Sequence, residues 1–155
     1  MKDRIQNITL RDATAEDLIF IVDCQLKMAM ETEQLQLDVQ TVAQGVKSVF
    51  EDPLKGFYLV GTEGNRPCSC LMITPEWSDW RNNLVWWIQS VYVLPEFRKL
   101  GIFNKMYEHI KSIVMKRDDV AGLRLYVDNT NLPAQEVYKR VGMSDEHYRL
   151  FEWMK

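Results

Sequence analysis

The stretch VYVLPEFRKLGIFNKMYEHI, residues 91–110, decides how the chain is read. Upstream of it, LVWWIQSVYV (84–93) is apolar for most of its length, as a strand covered on both faces would be, and it stops at Leu94-Pro95. Downstream, Ile102, Phe103, Met106, Tyr107, Ile110, Ile113 and Val114 recur at helical spacing. FRKLGIF (97–103) therefore sits on a strand-to-helix turn, where backbone N–H groups have no intrahelical partner. Such a turn is either a solvated basic cap or a cradle for an anion. Gly101 lets backbone approach a ligand without a Cβ in the way. The helix start offers donors with a favourable dipole, and Arg98 and Lys99 add mobile cations.

Working outward, Ile8 and Leu10 alternate with Thr9 and Arg11 in a first strand, and Thr14 with Asp17 makes a capping-box-like helix start. Leu18, Ile21, Val22, Leu26 and Ala29 carry that helix to about Met30. Val39, Val42, Val46, Val49 and Phe50 make a second helix that ends at Asp52-Pro53. GFYLVGTEGNRPCSCLMITP is a hairpin about Glu63-Gly64-Asn65. After the third helix come a fifth strand in GLRLYVD (122–128), a short helix in LPAQEVYKRV (132–141), and a closing pair of strands, or one bent strand, in MSDEHYRLFEWM (143–154). The order β-α-α-β-β-β-α-β-α-β predicts an α/β fold, with a mixed, mostly antiparallel central sheet and helices on both faces, as one domain over residues 1–155.

Composition agrees with one compact domain. The chain has 155 residues, 46% of them hydrophobic, and a net charge of −3 that argues against a general nucleic-acid grip. No apolar run approaches the roughly 18 residues of a membrane span. The opening MKDRIQNITL lacks the apolar core of a secretory signal. Cys24, Cys68 and Cys70 are odd in number, and His109 and His147 are the only histidines, which predicts reduced thiols, a cytoplasmic location and no metal site.

Two motifs resemble those of the GNAT acetyltransferase superfamily. Arg98-x-x-Gly101-x-Phe103, after Val91-x-Val93, is similar to the family's acetyl-CoA-binding R/Q-x-x-G-x-G/A turn. Asn131-x-x-Ala134-x-x-x-Tyr138-x-x-x-Gly142-Met143 is similar to its second signature. Phe103 stands where the family has a small residue, and Met143 where it has an aromatic. The resemblance implies a GNAT-like fold, acetyl-CoA as co-substrate, and N-acetylation of an amine in a ternary complex. It also implies that Val91, Tyr92 and Val93 meet the pantetheine arm where strands four and five splay. Arg98, Lys99, Leu100, Gly101, Ile102, Phe103 and Asn104 would surround the pyrophosphate. Tyr138 would protonate the leaving thiolate, and Asn131 would cap its helix or touch the coenzyme.

The general base is less legible. Gln89 occupies the position of a glutamate in many relatives and cannot take a proton at neutral pH. Glu31 and Glu33 are the alternatives, in a loop that the resemblance sets beside the acceptor; otherwise they are ordinary solvated charges. PEWSDWRNNLVWW holds Trp77, Trp80, Trp86 and Trp87. Trp86 and Trp87 are expected on opposite faces of the fourth strand. Trp77 and Trp80 are candidates for a cleft rim or a homodimer surface. Carboxylates and indoles together predict a small cationic amine as acceptor, with Gln89 beside it. A non-catalytic acyl-CoA-binding module is the alternative function, favoured by the missing glutamate.

Overall fold

The computed structural model describes residues 5–155, so the first four residues of the MKDRIQNITL stretch lie outside it. The backbone falls into two compact units that meet in sequence at Arg124 and Leu125. The first contains β1 (Ile8–Asp12), α1 (Leu18–Glu33), α2 (Val39–Glu51), β2 (Phe57–Glu63), β3 (Arg66–Ser78), β4 (Asn83–Val93), α3 (Ile102–Val114) and β5 (Val120–Arg124). The five strands lie side by side in chain order. Neighbours from β1 to β4 are antiparallel, and β5 runs parallel to β4. A parallel neighbour cannot be reached by a tight turn, so α3 supplies the crossover. The β2–β3 turn is the expected one: Glu63 pairs with Arg66, and Gly64 has φ +59°, the left-handed value that two-residue hairpin loops favour.

The period of two along the strands sorts the core into two layers. Tyr58, Val60, Cys70 and Tyr92 face α1 and α2 and pack with Ile21, Val22, Cys24, Val46 and Val49. Leu59, Leu71 and Ile73 point to the opposite face, which α3 covers with the fully buried Ile102, Met106 and Ile110. Helices on both faces of a mixed sheet are thus what the sequence predicts. All three cysteines are buried free thiols. No described helix is long and apolar enough to cross a membrane.

The elements differ from expectation in four places. α1 continues through Glu33, because the residues after Met30 bond like helix interior, with Thr32 Oγ1 donating to Met28 O at 2.9 Å. Left-handed Gln34, φ 53°, then ends it. β3 runs past Pro75 to Ser78, carrying Trp77 into the strand. β5 begins at Val120 and ends at Arg124, short of the predicted 122–128. In the second unit α4 (Leu132–Arg140) forms as expected, but the strand or strands predicted for MSDEHYRLFEWM do not. Tyr148, Leu150, Phe151 and Trp153 are all exposed, so the apolar alternation buries no face, and without a partner ladder alternation alone does not make a strand.

Asp17 ties β1 to the start of α1. Its buried carboxylate accepts from both terminal nitrogens of Arg11, at 2.7 and 2.8 Å, and from the Thr14 N–H at 2.8 Å. The Arg11 hydrogen bonds are the main cause that holds its pKa below the ordinary value; burial opposes them. A depressed folded pKa stabilises above the unfolded value, near 3.9, and that stability is lost as pH falls through the folded pKa. Asp17→Asn should therefore cost about 1–3 kcal/mol at pH 7. Urea denaturation at pH 7 and at acid pH should show the gap between wild type and variant closing on acidification.

Candidate active site

The site is built on an irregularity in β4. Met72 pairs with Gln89 and Cys70 with Tyr92, so Ser90 and Val91 together oppose Leu71. This is a β-bulge, and it puts Ser90 in the left-handed region at φ 51°. The β4–β5 ladder ends at Trp87 and Arg124, whereas β4 continues to Val93. Residues 88–93 therefore have no β5 ladder on that side. Leu94 N–H donates to Cys68 O at 2.9 Å, which makes that pair the hydrogen-bonded one and turns the peptide groups of Val93 away from β3. The outward carbonyl of Val93 accepts from Arg98 Nε at 2.9 Å.

Beyond Val93 the chain makes a single 3₁₀ turn, Pro95–Phe97, pinned by the fully buried Phe97. Lys99 and Gly101 then both adopt left-handed backbone, φ 63° and 81°, and α3 begins. Lys105 N–H makes the first bond of the helix, to Gly101 O at 3.1 Å, so the amides ahead of it open at the helix start. Gly101 is required for its φ, and a Cβ there would also lie 3.2 Å from Ile5. Lys99 is exposed and has no ion pair among the described residues. Phe103 is half-buried beside Tyr107, ring centroids 6.2 Å apart, leaving its backbone in the first turn.

Arg98 is not a loose rim cation. Besides Val93 O it donates through Nη2 to Glu31 Oε2 at 2.7 Å, and its guanidinium lies 5.2 Å from the Tyr92 ring centroid. Tyr92 Oη donates to Glu31 Oε1 at 2.6 Å. Glu31 thus has two committed oxygens; the Tyr92 hydroxyl first, and Arg98 after it, hold its pKa below the usual carboxylate value. The Tyr92 hydroxyl is pushed up to about 12 by burial and by Glu31. Glu33 ends α1, exposed and without an ion pair among the described residues.

The tryptophans are arranged differently from the expectation that Trp77 and Trp80 stand near Glu31. Trp77 pairs with Leu84 and shares its face with Trp86, on the α3 side of the sheet. Tyr92 and Glu31 belong to the other side and, with about 3.3 Å per residue, lie some 26 Å further along β4. Trp77 and Trp80 are 60% and 87% exposed at the hairpin tip. On the α1 side stand Gln89 and Trp87, which the sequence singled out, with Thr74 and Arg124, which it did not. Gln89 Nε2 donates to Thr74 Oγ1. Glu76 accepts from Trp87 Nε1 and from Arg124 Nη1, the latter at 2.8 Å, with the Arg124 guanidinium 5.8 Å from the Trp87 ring. Placing the turn at residues 79–82 would have set Thr74 against Trp87 and Glu76 against Val85, while Arg124 comes in through the separate β5 ladder.

In the second unit Asn131 caps α4, Oδ1 accepting from Ala134 N–H at 3.2 Å. Tyr138 is half-buried, and burial raises its hydroxyl pKa above the ordinary value.

The acetyltransferase (GNAT) family model matches residues 25–143, which include the bulge, the Lys99–Gly101 turn and both motifs. The chain belongs to the GNAT acetyltransferase family. A possible acetyltransferase from Clostridium difficile 630 is 39% identical, with a TM-score of 0.89 over 96% of this chain and 97% of that one. Two others share the fold. A predicted acetyltransferase from Clostridium acetobutylicum, solved with acetyl-CoA, is 17% identical, with a TM-score of 0.72 over 94% of this chain and 96% of that one. An aminoglycoside acetyltransferase from an uncultured soil metagenomic sample, solved with sisomicin, is 10% identical, with a TM-score of 0.77 over 97% and 98%. No curated protein matches the sequence.

In this GNAT domain the bulge should depend on residue 90 tolerating a left-handed backbone. Ser90→Gly should keep or raise Tm, whereas Ser90→Val, β-branched at positive φ, should lower it by about 4–8 °C, from roughly 2 kcal/mol of strain. Thermal denaturation of the two variants checks this.

Proposed function

We propose that this protein is an acetyl-CoA-dependent N-acetyltransferase that moves the acetyl group directly onto a primary amine of a small cationic acceptor. The carrying observation is the free β4 edge running into the left-handed turn at Lys99–Gly101 and the first turn of α3. An extended edge suits the amide-rich pantetheine arm, met by the backbone of Val91, Tyr92 and Val93. The turn suits a pyrophosphate, met by the amides of Leu100 to Asn104 and the Lys99 cation. Asn131, whose Oδ1 caps α4, is assigned to the coenzyme by the family resemblance alone.

The amine attacks the thioester carbonyl as the neutral base. Outward backbone N–H groups of the β4 edge stabilise the tetrahedral oxyanion. Collapse breaks the C–S bond, and Tyr138, which the family resemblance makes the general acid and burial keeps protonated, gives its proton to the thiolate and regains one from solvent. The surplus proton of the amine leaves to solvent. Glu33 supplies a carboxylate on the acceptor side, which favours a cation, while the Glu76–Trp87 corner, neutralised by Arg124, supplies shape. Gln89, bonded to Thr74 and without a titratable group, is the observation that favours a non-catalytic acyl-CoA-binding module instead. Release of free thiol from acetyl-CoA across a panel of amines, polyamines and amino acids tests the enzyme reading. Binding with no thiol release from any amine would support the module.

Acetyl-CoA at a hundredfold excess over its Kd should stabilise the fold by about 2.7 kcal/mol. Gly101→Asp should abolish the gain, by straining φ +81° and setting a like charge against the phosphates. A thermal shift scan reads both. Tyr138→Phe should leave coenzyme binding intact and lower kcat by roughly 10²-fold or more, the usual worth of a general acid. Steady-state kinetics with the best amine checks it, and unchanged kcat would remove Tyr138 from the chemistry.

A further inference from the structure

We propose that Glu31, Tyr92 and Arg98 form a positioning clamp that locks the β4 coenzyme edge to the last turn of α1. The proposal rests on the reading that this edge takes acetyl-CoA. Its contacts close a ring. Val93 O accepts from Arg98 Nε, Arg98 Nη2 donates to Glu31 Oε2, and Tyr92 Oη donates to Glu31 Oε1, returning to β4. The guanidinium also stacks on the Tyr92 ring, and the Arg98 N–H is taken by Pro95 O at 3.2 Å. Arg98 is thus turned across β4, away from the helix start that it precedes in sequence.

The need for a clamp arises from the bulge. Past Trp87, β4 is laddered only to β3, and Ser90–Val91 interrupts even that ladder. A segment with so few backbone partners opens at low free energy unless side chains hold it. Tyr92 lies between Val91 and Val93, so fixing its hydroxyl fixes the pleat that presents their outward peptide groups. Glu31 supplies that fixed point from a helix anchored in the core by Ile21, Val22 and Cys24. In this arrangement Glu31 acts through Arg98 and Tyr92, not on the acceptor amine.

The competing account makes Arg98 a phosphate cation that Glu31 merely neutralises in the free protein. The two accounts predict opposite signs. If Glu31 competes with phosphate, Glu31→Gln must tighten acetyl-CoA; if it clamps, Glu31→Gln must weaken it. Arg98→Lys also divides them. A lysine keeps the charge but cannot reach Val93 O and Glu31 together.

Calorimetric titration with acetyl-CoA decides, using wild type, Glu31→Gln, Arg98→Met, Arg98→Lys and the Glu31→Gln/Arg98→Met double variant. The clamp predicts a Kd about tenfold higher in each single variant, the size expected for one charge-assisted contact. It predicts a double variant no weaker than the worse single one, no rescue by lysine, and kcat at saturating coenzyme little changed. Tyr92→Phe, which keeps the buried ring, should weaken binding in the same direction. Melting curves of the free variants check that each is folded at the titration temperature. Unchanged or tighter binding by Glu31→Gln, or wild-type binding by Arg98→Lys, overturns the clamp while leaving the acetyl-CoA reading intact. Failure of wild type to bind acetyl-CoA overturns both.

Discussion

The β4–β5 ladder stops at Trp87 while β4 runs on to Val93, and the rest of the site depends on that mismatch. Backbone donors and acceptors need partners, and those beyond the ladder must find them in water, side chains or a ligand. The same topology dictates which element comes after the open edge. Because β5 is parallel to β4, the chain must cross over, and the crossover helix α3 starts where β4 ends. One choice of connection thus sets an unladdered strand end and a helix N-terminus in sequence, the first suited to an extended amide chain and the second to phosphate. The bulge at Ser90 sharpens the break by placing a residue against Leu71 without a rung.

Charge at the end of α1 obeys a related logic. Glu31 and Glu33 in the last helical turn oppose the helix dipole. Glu31 offsets this by taking two donors from β4 and the turn beyond it, and both keep it ionised. A carboxylate held so is a poor proton acceptor, which is why the geometry moves it from chemistry to positioning. Glu33 has no such partners among the described residues and stays exposed, so its field acts through solvent and is screened by salt.

What was legible in the sequence was local. The 98–103 turn, the Glu63-Gly64-Asn65 hairpin and the apolar faces of the first three helices are each written in a few neighbouring residues, and each formed close to where it was read. The strand predicted for MSDEHYRLFEWM shows the limit of pattern: alternation makes a strand only where a ladder and a covered face are supplied by the rest of the chain. The Glu31–Tyr92–Arg98 ring was invisible for another reason. Its partners are 61 and 67 residues apart, and no spacing rule links a helix end to a strand so distant. Arg98 was read as a phosphate cation because its neighbours in sequence belong to the turn, whereas its guanidinium belongs to the strand before it.

The tryptophans carry the same lesson to substrate choice. Four indoles crowd one short segment, yet the pleat divides them. Trp77 and Trp86 go to the α3 side, Trp80 to the hairpin tip, and Trp87 alone to the side shared with Tyr92, Gln89 and Thr74. Only that side also borders the open edge of β4 and the end of α1. Under the proposed amine acceptor, Trp87 is the indole on the acceptor's side of the sheet, with its N–H committed to Glu76. Arg124 lies over that ring and neutralises Glu76, so the corner carries no net charge. On that proposal, attraction for a cation falls to Glu33, while Trp87 and Glu76 contribute shape.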